Sequence, residues 1–152
     1  MKYLGIDYGT RRVGLAYADE LGLALPLPAA VQPESAERLA SIQSIILERK
    51  IDEIVLGYPY NMDGTVGFKA KEVEEFAEQL KRFTQLPLHF MDERLSSRVA
   101  AEKMKLRTSA LRTVRDQQNF RKSGELDSES AACILQDYLD AHFGEPLLPP
   151  DL

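Results

Sequence analysis

The stretch GIDYGTRRVG, residues 5–14, places an aspartate at the end of a short apolar run and follows it with a glycine turn and two arginines. Residues 2–8 alternate loosely between apolar and polar side chains, which predicts a β-strand, and VGLAYA at 13–18 predicts its hairpin partner. Asp7 therefore lies at the carboxyl end of the first predicted strand. It could shape the turn, bind a nucleotide phosphate or hold a metal ion.

The remaining pattern predicts an α/β domain. Further strands are predicted at 23–31, 53–57 and 87–92, and helices at 34–50, around 73–80 and at 127–142. The 23–31 strand contains two prolines and so belongs at a sheet edge. Helical crossovers join parallel strands, so we expect a mixed five-stranded sheet flanked by helices, with a three-strand antiparallel meander plus two parallel strands. We expect a single domain over residues 1–144, followed by a proline-rich tail at 145–152.

Composition limits the class of protein. The chain has 152 residues, of which 44% are hydrophobic and 28% charged, as in an ordinary globular domain. No apolar run approaches the roughly 18 residues of a membrane span, and charged residues interrupt the N-terminal apolar stretch, so neither a membrane segment nor a secretory signal is expected. One cysteine excludes an internal disulfide, and two histidines beside it argue against a structural zinc site. We expect a cytoplasmic protein.

Charge is distributed unevenly along the chain. The formal net charge is −5, yet residues 94–122 carry nine basic and two acidic side chains, a local balance of +7. Such a segment can form an electrostatic surface for a phosphate backbone. A solvated helical face of mixed charge explains the same pattern equally well.

Carboxylates from separate parts of the sequence are expected to meet at one edge of the sheet. Asp7 ends the first strand, and Asp92 and Glu93 end the 87–92 strand. The carboxyl ends of parallel strands share one edge, where ligands of open α/β sheets bind. Each acid also has a simpler explanation, since Asp7 could be a turn residue, and Asp92 or Glu93 could pair with nearby arginines.

The last predicted helix adds a further acid. Asp127 begins an apolar stripe that continues through Ala131 and Leu135, so it is expected to face the sheet, whereas Glu129 falls on a flank. Asp127 could instead be a helix N-cap. Clustered carboxylates repel one another unless a cation neutralises them, and hard oxygen ligands suit Mg²⁺ or Mn²⁺. Two such ions can activate a water and stabilise the leaving oxygen of a phosphodiester.

Nucleotide-binding alternatives are weaker. The DYGT turn resembles the first phosphate loop of actin-like and sugar-kinase ATPases, but 152 residues do not supply the second lobe that closes their nucleotide cleft. The stretch GYPYNMDGTVG at 57–67 is glycine-rich but lacks a Walker lysine, and an ordinary strand-to-helix loop is the alternative. His89, inside a strand, is interpreted as a packed residue rather than a catalyst.

Four motifs together resemble a known family. They are GIDYGTRRVGLA at 5–16, GYPYNMDGTVG at 57–67, DERLSS at 92–97 and GELDSESAACILQDYL at 124–139. In this order, and over nearly the whole chain, they resemble the YqgF family, also called RuvX, of Holliday junction resolvases and pre-16S ribosomal RNA nucleases. The resemblance implies a ribonuclease-H-like fold, a divalent-metal nuclease site and a role in maturing the 5′ end of small-subunit ribosomal RNA.

The resemblance also assigns roles to residues. It implies that Asp7, Glu93 and Asp127 are the catalytic acids that hold Mg²⁺ or Mn²⁺, and it alone favours Glu93 over Asp92. Residues expected to contact nucleic acid, from the resemblance and the basic segment, are Arg12, Asn61, Arg94, Arg98, Arg121 and Lys122. The chain departs from the family pattern at Ser97, and at Ser123, where the family often has lysine before the glycine.

The resulting functional hypothesis is a metal-dependent endonuclease that acts in pre-16S ribosomal RNA maturation. The alternatives are a resolvase of Holliday junctions or other branched DNA, and a non-catalytic RNA-binding module of ribosome assembly. The expected partners are structured RNA or branched DNA and ribosomal precursor particles, with no membrane. Either a monomer or a homodimer is expected, since a resolvase that acts on a symmetric junction would pair.

Overall fold

The computed structural model describes residues 1–59, 67–92 and 124–143. These form a five-stranded sheet with helices on both faces. The strands are β1 (Tyr3–Asp7), β2 (Val13–Ala18), β3 (Leu25–Ala30), β4 (Glu53–Tyr58) and β5 (Leu88–Asp92), and the helices are α1 (Ser35–Arg49), α2 (Phe68–Thr84) and α3 (Glu125–Phe143). The strand order is β3-β2-β1-β4-β5. The β1–β2 and β2–β3 pairs are antiparallel, whereas β1–β4 and β4–β5 are parallel.

This arrangement confirms the predicted mixed sheet and the position of the proline-containing strand at its edge. The predicted bounds agree with the observed ones to within two residues for most elements. The basic segment at 94–122 and the proline-rich tail at 145–152 lie outside the described residues. Within the parts of the chain that are described, every helix is too short or too polar to cross a lipid bilayer.

One face of the sheet is covered by α1 and α2. Its core consists of large aliphatic side chains from β1 and β4, such as Leu4, Ile6 and Leu56, packed on Ile42 of α1 and Leu80 of α2. On α2, the apolar residues that recur at helical spacing are all buried; they are Val73, Phe76, Ala77 and Leu80. Burying a side chain of this size contributes about 1.5–3 kcal/mol, so this face supplies much of the hydrophobic stabilisation.

Among the described helices, only α3 covers the other face, and it lies very close to the strands. A Cβ atom added at Gly5 would lie 2.7 Å from Leu135 Cβ and 2.9 Å from the Ala131 carbonyl oxygen. A Cβ at Gly14 would overlap the backbone carbonyl of Asp127. The predicted stripe of Asp127, Ala131 and Leu135 therefore does face the sheet, and the two glycines allow the helix to rest on the strand backbone.

Polar contacts fix α3 in this position. The Leu15 backbone N–H donates to the hydroxyl of buried Ser128 at 3.2 Å. At the β2–β3 turn, Gln136 accepts from the Ala24 N–H at 2.9 Å and donates to the Gly22 carbonyl at 3.0 Å. The helix is thereby held to β2 at its start and to the following turn near its middle.

Candidate active site

Asp7 ends β1 and lies on the α3 face of the sheet. Side chains alternate between faces along a strand, and Tyr3 and Gly5 of β1 both contact α3 residues. Asp7 continues this set. Its partner on the antiparallel strand β2 is Gly14. Because Gly14 has no side chain, a residue of α3 can pack directly beside Asp7 on this face.

The α3 residue that packs on Gly14 is Asp127. Its backbone carbonyl contacts Gly14, so Asp127 and Asp7 both adjoin the same glycine, at the carboxyl end of β1. The alternative interpretation of Asp127 as an N-cap is wrong, since α3 begins at Glu125 and Asp127 is its third residue. The predicted meeting of these two acids is thus supported by backbone packing.

Arg12 contacts this pair of acids through Asp127. Its Nε donates to Asp127 Oδ2 at 2.9 Å, and the two side chains are 39% and 28% exposed. An ion pair of this exposure contributes only about 0–1 kcal/mol to stability. Its main effect is to orient the Asp127 carboxylate and tie the β1–β2 turn to α3. Contact of Arg12 with a nucleic acid remains a prediction.

Arg38 was missed by the sequence reasoning and supports the same turn from the opposite face. This α1 residue is buried, and its guanidinium donates to the carbonyls of Thr10, Gln32 and Pro33 at 2.9, 2.6 and 3.0 Å. The sequence did contain a pattern that could have revealed it, because Arg38 precedes Ile42 and Ile46 in a buried i, i+4, i+8 stripe. A cation in an apolar stripe needs partners, and here they are backbone carbonyls.

Asp92 lies on the opposite face from Asp7. It pairs with Tyr58, and Tyr58 belongs to the core under α1 and α2. Strand alternation gives the same answer, because Met91 packs on the α3 side while Phe90 stacks edge-on against Tyr58, with ring centroids 5.1 Å apart. Asp92 is therefore poorly placed to join Asp7 and Asp127.

Several predicted site residues lie outside the described residues. They are Glu93, Asn61, Arg94, Arg98, Arg121 and Lys122, and their roles stay predictions. Within the described ranges, no group of three His, Cys, Asp or Glu side chains is arranged to hold a metal ion. Glu129, which the helical geometry placed on a flank, is buried at 8% exposure.

The amino end of the parallel strands carries a different cluster. His89 stacks on Tyr138 at 5.3 Å between ring centroids, and Tyr138 stacks on His142 at 4.0 Å. His89 Nε2 lies 3.5 Å from Glu53 Oε2. This confirms His89 as a packed residue, on the edge strand β5 and at the end of the sheet away from Asp7.

The chemistry of the donor set at the carboxyl end fits a hard divalent cation. Asp7 and Asp127 supply carboxylate oxygens from two elements that the packing at Gly14 holds together. The Arg12 contact uses one of the two Asp127 oxygens, which shows that this carboxylate already lies beside a cationic group. Oxygen donors of this kind are preferred by Mg²⁺ and Mn²⁺.

Comparison with known proteins agrees with this geometry. A family model described as RuvX, Holliday junction resolvase, matches residues 1–141. The chain belongs to the RuvX family. Among its relatives is a protein of Opitutus terrae named "Putative pre-16S rRNA nuclease", which is 44% identical over 151 residues, or 99% of each chain. A protein of the same name from Synechococcus elongatus is 38% identical over 138 residues, covering 90% of this chain and 87% of its own.

Solved structures show that this RuvX-family chain has a ribonuclease-H-like fold, as the resemblance implied. The RuvC protein of Thermus thermophilus, solved with a Holliday junction substrate, superposes with a TM-score of 0.55 at 16% identity and covers 95% of this chain and 96% of its own. The Fowlpox virus resolvase, solved with Holliday junction DNA, gives 0.55 at 12% identity, with coverages of 93% and 98%. These two likenesses concern the fold alone.

Proposed function

We propose that this protein is a metal-dependent endonuclease that hydrolyses phosphodiester bonds in the 5′-end maturation of pre-16S ribosomal RNA. The observation that supports the proposal is the contact of the Asp127 carbonyl with Gly14, the β2 partner of Asp7, at the carboxyl end of the parallel strands. The names of relatives that match nearly the whole chain support the ribosomal RNA substrate.

In this proposal Asp7, Glu93 and Asp127 hold one or two Mg²⁺ or Mn²⁺ ions. The choice of Glu93 is supported by the position of Asp92 on the wrong face for this site. A divalent cation there supplies Lewis-acid polarisation of the phosphoryl oxygens and lowers the pKa of water. A pure binding module gains nothing from carboxylates that repel one another, which favours a catalytic role.

The other described residues organise this site. Arg12 orients the Asp127 carboxylate, and Arg38 fixes the turn that carries Arg12 through the Thr10 carbonyl. The basic residues of the 94–122 segment, with Asn61, are proposed to contact the phosphate backbone. Backbone contacts of this kind hold RNA and DNA alike.

Resolution of branched DNA is the second candidate. It is favoured by the description of the family whose model matches residues 1–141. A symmetric junction would require two copies of the site, so this candidate predicts a homodimer on the substrate. The two candidates share the same acids and differ in the substrate that is cut.

The first experiment is cleavage of precursor 16S RNA and of a four-way DNA junction, each with Mg²⁺ or Mn²⁺ and with a chelator. We expect Asp7→Asn to lower the rate at least about a hundredfold, because even outer-shell partners of a metal are worth about 10–100-fold. Asp140→Asn is the matched control, since it makes the same charge change on an exposed residue near the far end of α3. It should leave the rate unchanged.

The outcomes separate the candidates. Cleavage of RNA but not of the junction supports the maturation nuclease, and the reverse supports the resolvase. If the wild-type protein cuts neither substrate, or if Asp7→Asn cuts as fast as wild type, the nuclease proposal is wrong. Tight RNA binding that is independent of metal would then favour the non-catalytic module.

A further inference from the structure

A cleft opens beside Asp7, between the β1–β2 turn and the first turns of α2. It encloses about 450 Å³, with Tyr8, Arg11 and Arg12 on one side and Phe68, Lys69 and Glu72 on the other. Tyr8 directly follows Asp7 in the chain. The cleft therefore begins one residue from the first acid of the proposed site. It lies toward the α2 side of the sheet edge, whereas Asp127 lies on the α3 side.

Two aromatic residues, Tyr8 and Phe68, line the cleft. Phe68, Glu72 and Phe76 follow one another at i, i+4 and i+8 along α2, and so share a helix face. Phe76 is buried and stacks on Tyr8, with ring centroids 4.5 Å apart and an interplanar angle of 26°. Phe68, two turns nearer the start of the helix, is 79% exposed. Its ring therefore lines the cleft with most of its surface open to solvent.

The charges around the cleft favour an anion. Among the described residues that line it, three are basic and only Glu72 is acidic. Arg12 is engaged with Asp127, whereas Arg11 and Lys69 are exposed. The first turn of α2 contains no acidic residue that would oppose a phosphate. An exposed aromatic ring and two exposed cations in one cleft match the chemistry of an unpaired nucleotide, whose base stacks and whose phosphate is negative.

We propose that this cleft binds an unpaired nucleotide of the substrate strand, next to the phosphate that lies at Asp7 and Asp127. The base stacks on Phe68, and Arg11 and Lys69 contact the adjoining phosphate. The substrate strand then crosses the carboxyl edge of the sheet, from the α3 side to the α2 side. This assignment rests on the proposed nuclease function and adds to it a preference for a single-stranded or unstacked nucleotide beside the cut.

The test is binding of a short single-stranded oligonucleotide that contains 2-aminopurine, whose fluorescence is quenched by stacking. Binding is measured in a chelator, so that it does not depend on cleavage, with RNA and DNA versions of the same sequence. We expect Phe68→Ala to weaken binding about tenfold, since one base–aromatic stack contributes about a factor of ten to affinity. The substitution should also abolish the part of the quenching that comes from stacking on Phe68. Phe68→Tyr should restore both.

Phe83→Ala is the matched control. Phe83 lies on the same helix, at its opposite end, and is also exposed, at 57%. Both substitutions remove an exposed ring, so each should leave the unfolding free energy within about 0.5 kcal/mol of wild type. Phe83→Ala should leave binding and quenching unchanged. Equal loss in the two variants, or no loss in Phe68→Ala, would overturn the proposal.

The phosphate contacts have a separate readout. For single strands the slope of log K against log salt changes by about 0.7 for each phosphate neutralised. Arg11→Gln with Lys69→Gln should therefore reduce that slope, whereas Arg82→Gln, at the far end of α2, should not. If Phe68→Ala instead changes the sedimentation of the free protein and not its nucleotide binding, the ring belongs to a protein interface and the proposal is wrong.

Failure of the cleft and failure of the nuclease proposal are distinguishable. If wild type cuts RNA or DNA but Phe68→Ala binds and cuts normally, only the cleft assignment is wrong. Phe68-dependent quenching without any cleavage would support the cleft while contradicting the nuclease function. If 2-aminopurine is quenched equally in the RNA and DNA oligonucleotides, the cleft contacts the base and the phosphate, which both contain, and the proposal is supported.

Discussion

On the face covered by α1 and α2, aliphatic side chains such as Ile6, Leu56 and Leu80 fill the space between helix and sheet. On the face covered by α3, the helix rests on the strand backbone at Gly5 and Gly14, and the cluster of buried hydrophobic residues among the described residues is smaller. The difference shows which of the two faces tolerates small changes in packing. Side-chain packing can adjust to small changes, but a backbone contact at Gly14 fixes the position of Asp127 relative to Asp7.

Residues from both faces of the sheet contact the β1–β2 turn. From the α3 side, the turn is held by the Arg12–Asp127 ion pair. From the α1 side, buried Arg38 donates to the Thr10 carbonyl. The turn beside Asp7 is therefore fixed by one charged contact from each face, which a hairpin turn alone would not need.

The largest effect should come from Gly14→Ala. The added methyl group overlaps the Asp127 carbonyl, so we expect a loss of about 3 kcal/mol in unfolding free energy, together with a loss of cleavage in the protein that still folds. Denaturant unfolding and a rate measurement below the transition check this. Gly22→Ala is the control, because its site has open space and only a positive φ of 76°. It should cost about 1 kcal/mol and leave cleavage intact. Equal effects of the two substitutions would show that α3 can move off the strands freely.

A smaller effect is expected for Arg38→Gln, which tests the support from the α1 side. Removing the guanidinium leaves three backbone carbonyls without their charged donor, which should cost about 1–3 kcal/mol. Cleavage should also fall, since the turn that carries Arg12 loses its anchor at Thr10. Thermal unfolding and the rate of the folded variant are the measurements. Exposed Arg82→Gln serves as the control and should change stability by no more than about 0.5 kcal/mol. If the variant keeps full cleavage, the turn is fixed from the α3 face alone.

The smallest effect is a loss of stability at alkaline pH. Burial raises the pKa of Tyr3 and Tyr138 on the α3 face and of Tyr8 on the other, each above 10.0, with smaller contributions from nearby carboxylates. Because the folded-state pKa is the higher one, the stabilisation is fully present below about pH 10 and is lost as the pH rises through the folded-state values. Thermal midpoints followed alongside phenolate absorbance measure this.

The same titration separates the two faces. The double variant Tyr3→Phe, Tyr138→Phe removes the α3-face groups and leaves Tyr8, so the alkaline decline should become shallower without vanishing. Tyr8→Phe should remove the part that Tyr8 contributes. A decline that is unchanged in the double variant would mean that these two phenols ionise equally well in the folded and unfolded chain.

Much of the fold could be predicted because local rules and topology agreed. Alternation and helical spacing located the strands and helices, and the prolines of β3 indicated an edge strand. The sequence also predicted that Asp7 and Asp127 lie at one edge of the sheet, because strand ends and an apolar helical stripe can be recognised in a sequence. Four motifs in order identified the family, which a match over residues 1–141 confirmed.

Other features depended on contacts between distant residues, which periodicity does not contain. Gly14 could not be recognised as the contact between Asp127 and β2, because its role depends on where a helix over a hundred residues later packs. The three carbonyl partners of Arg38, and the cleft between Phe68 and the β1–β2 turn, likewise exist only once α1 and α2 pack on the sheet. The sequence by itself determined which residues end the strands and which family the chain resembles. The tertiary structure decided which acids share a face, since strand register and the close approach of α3 place Asp127 beside Asp7 and turn Asp92 away.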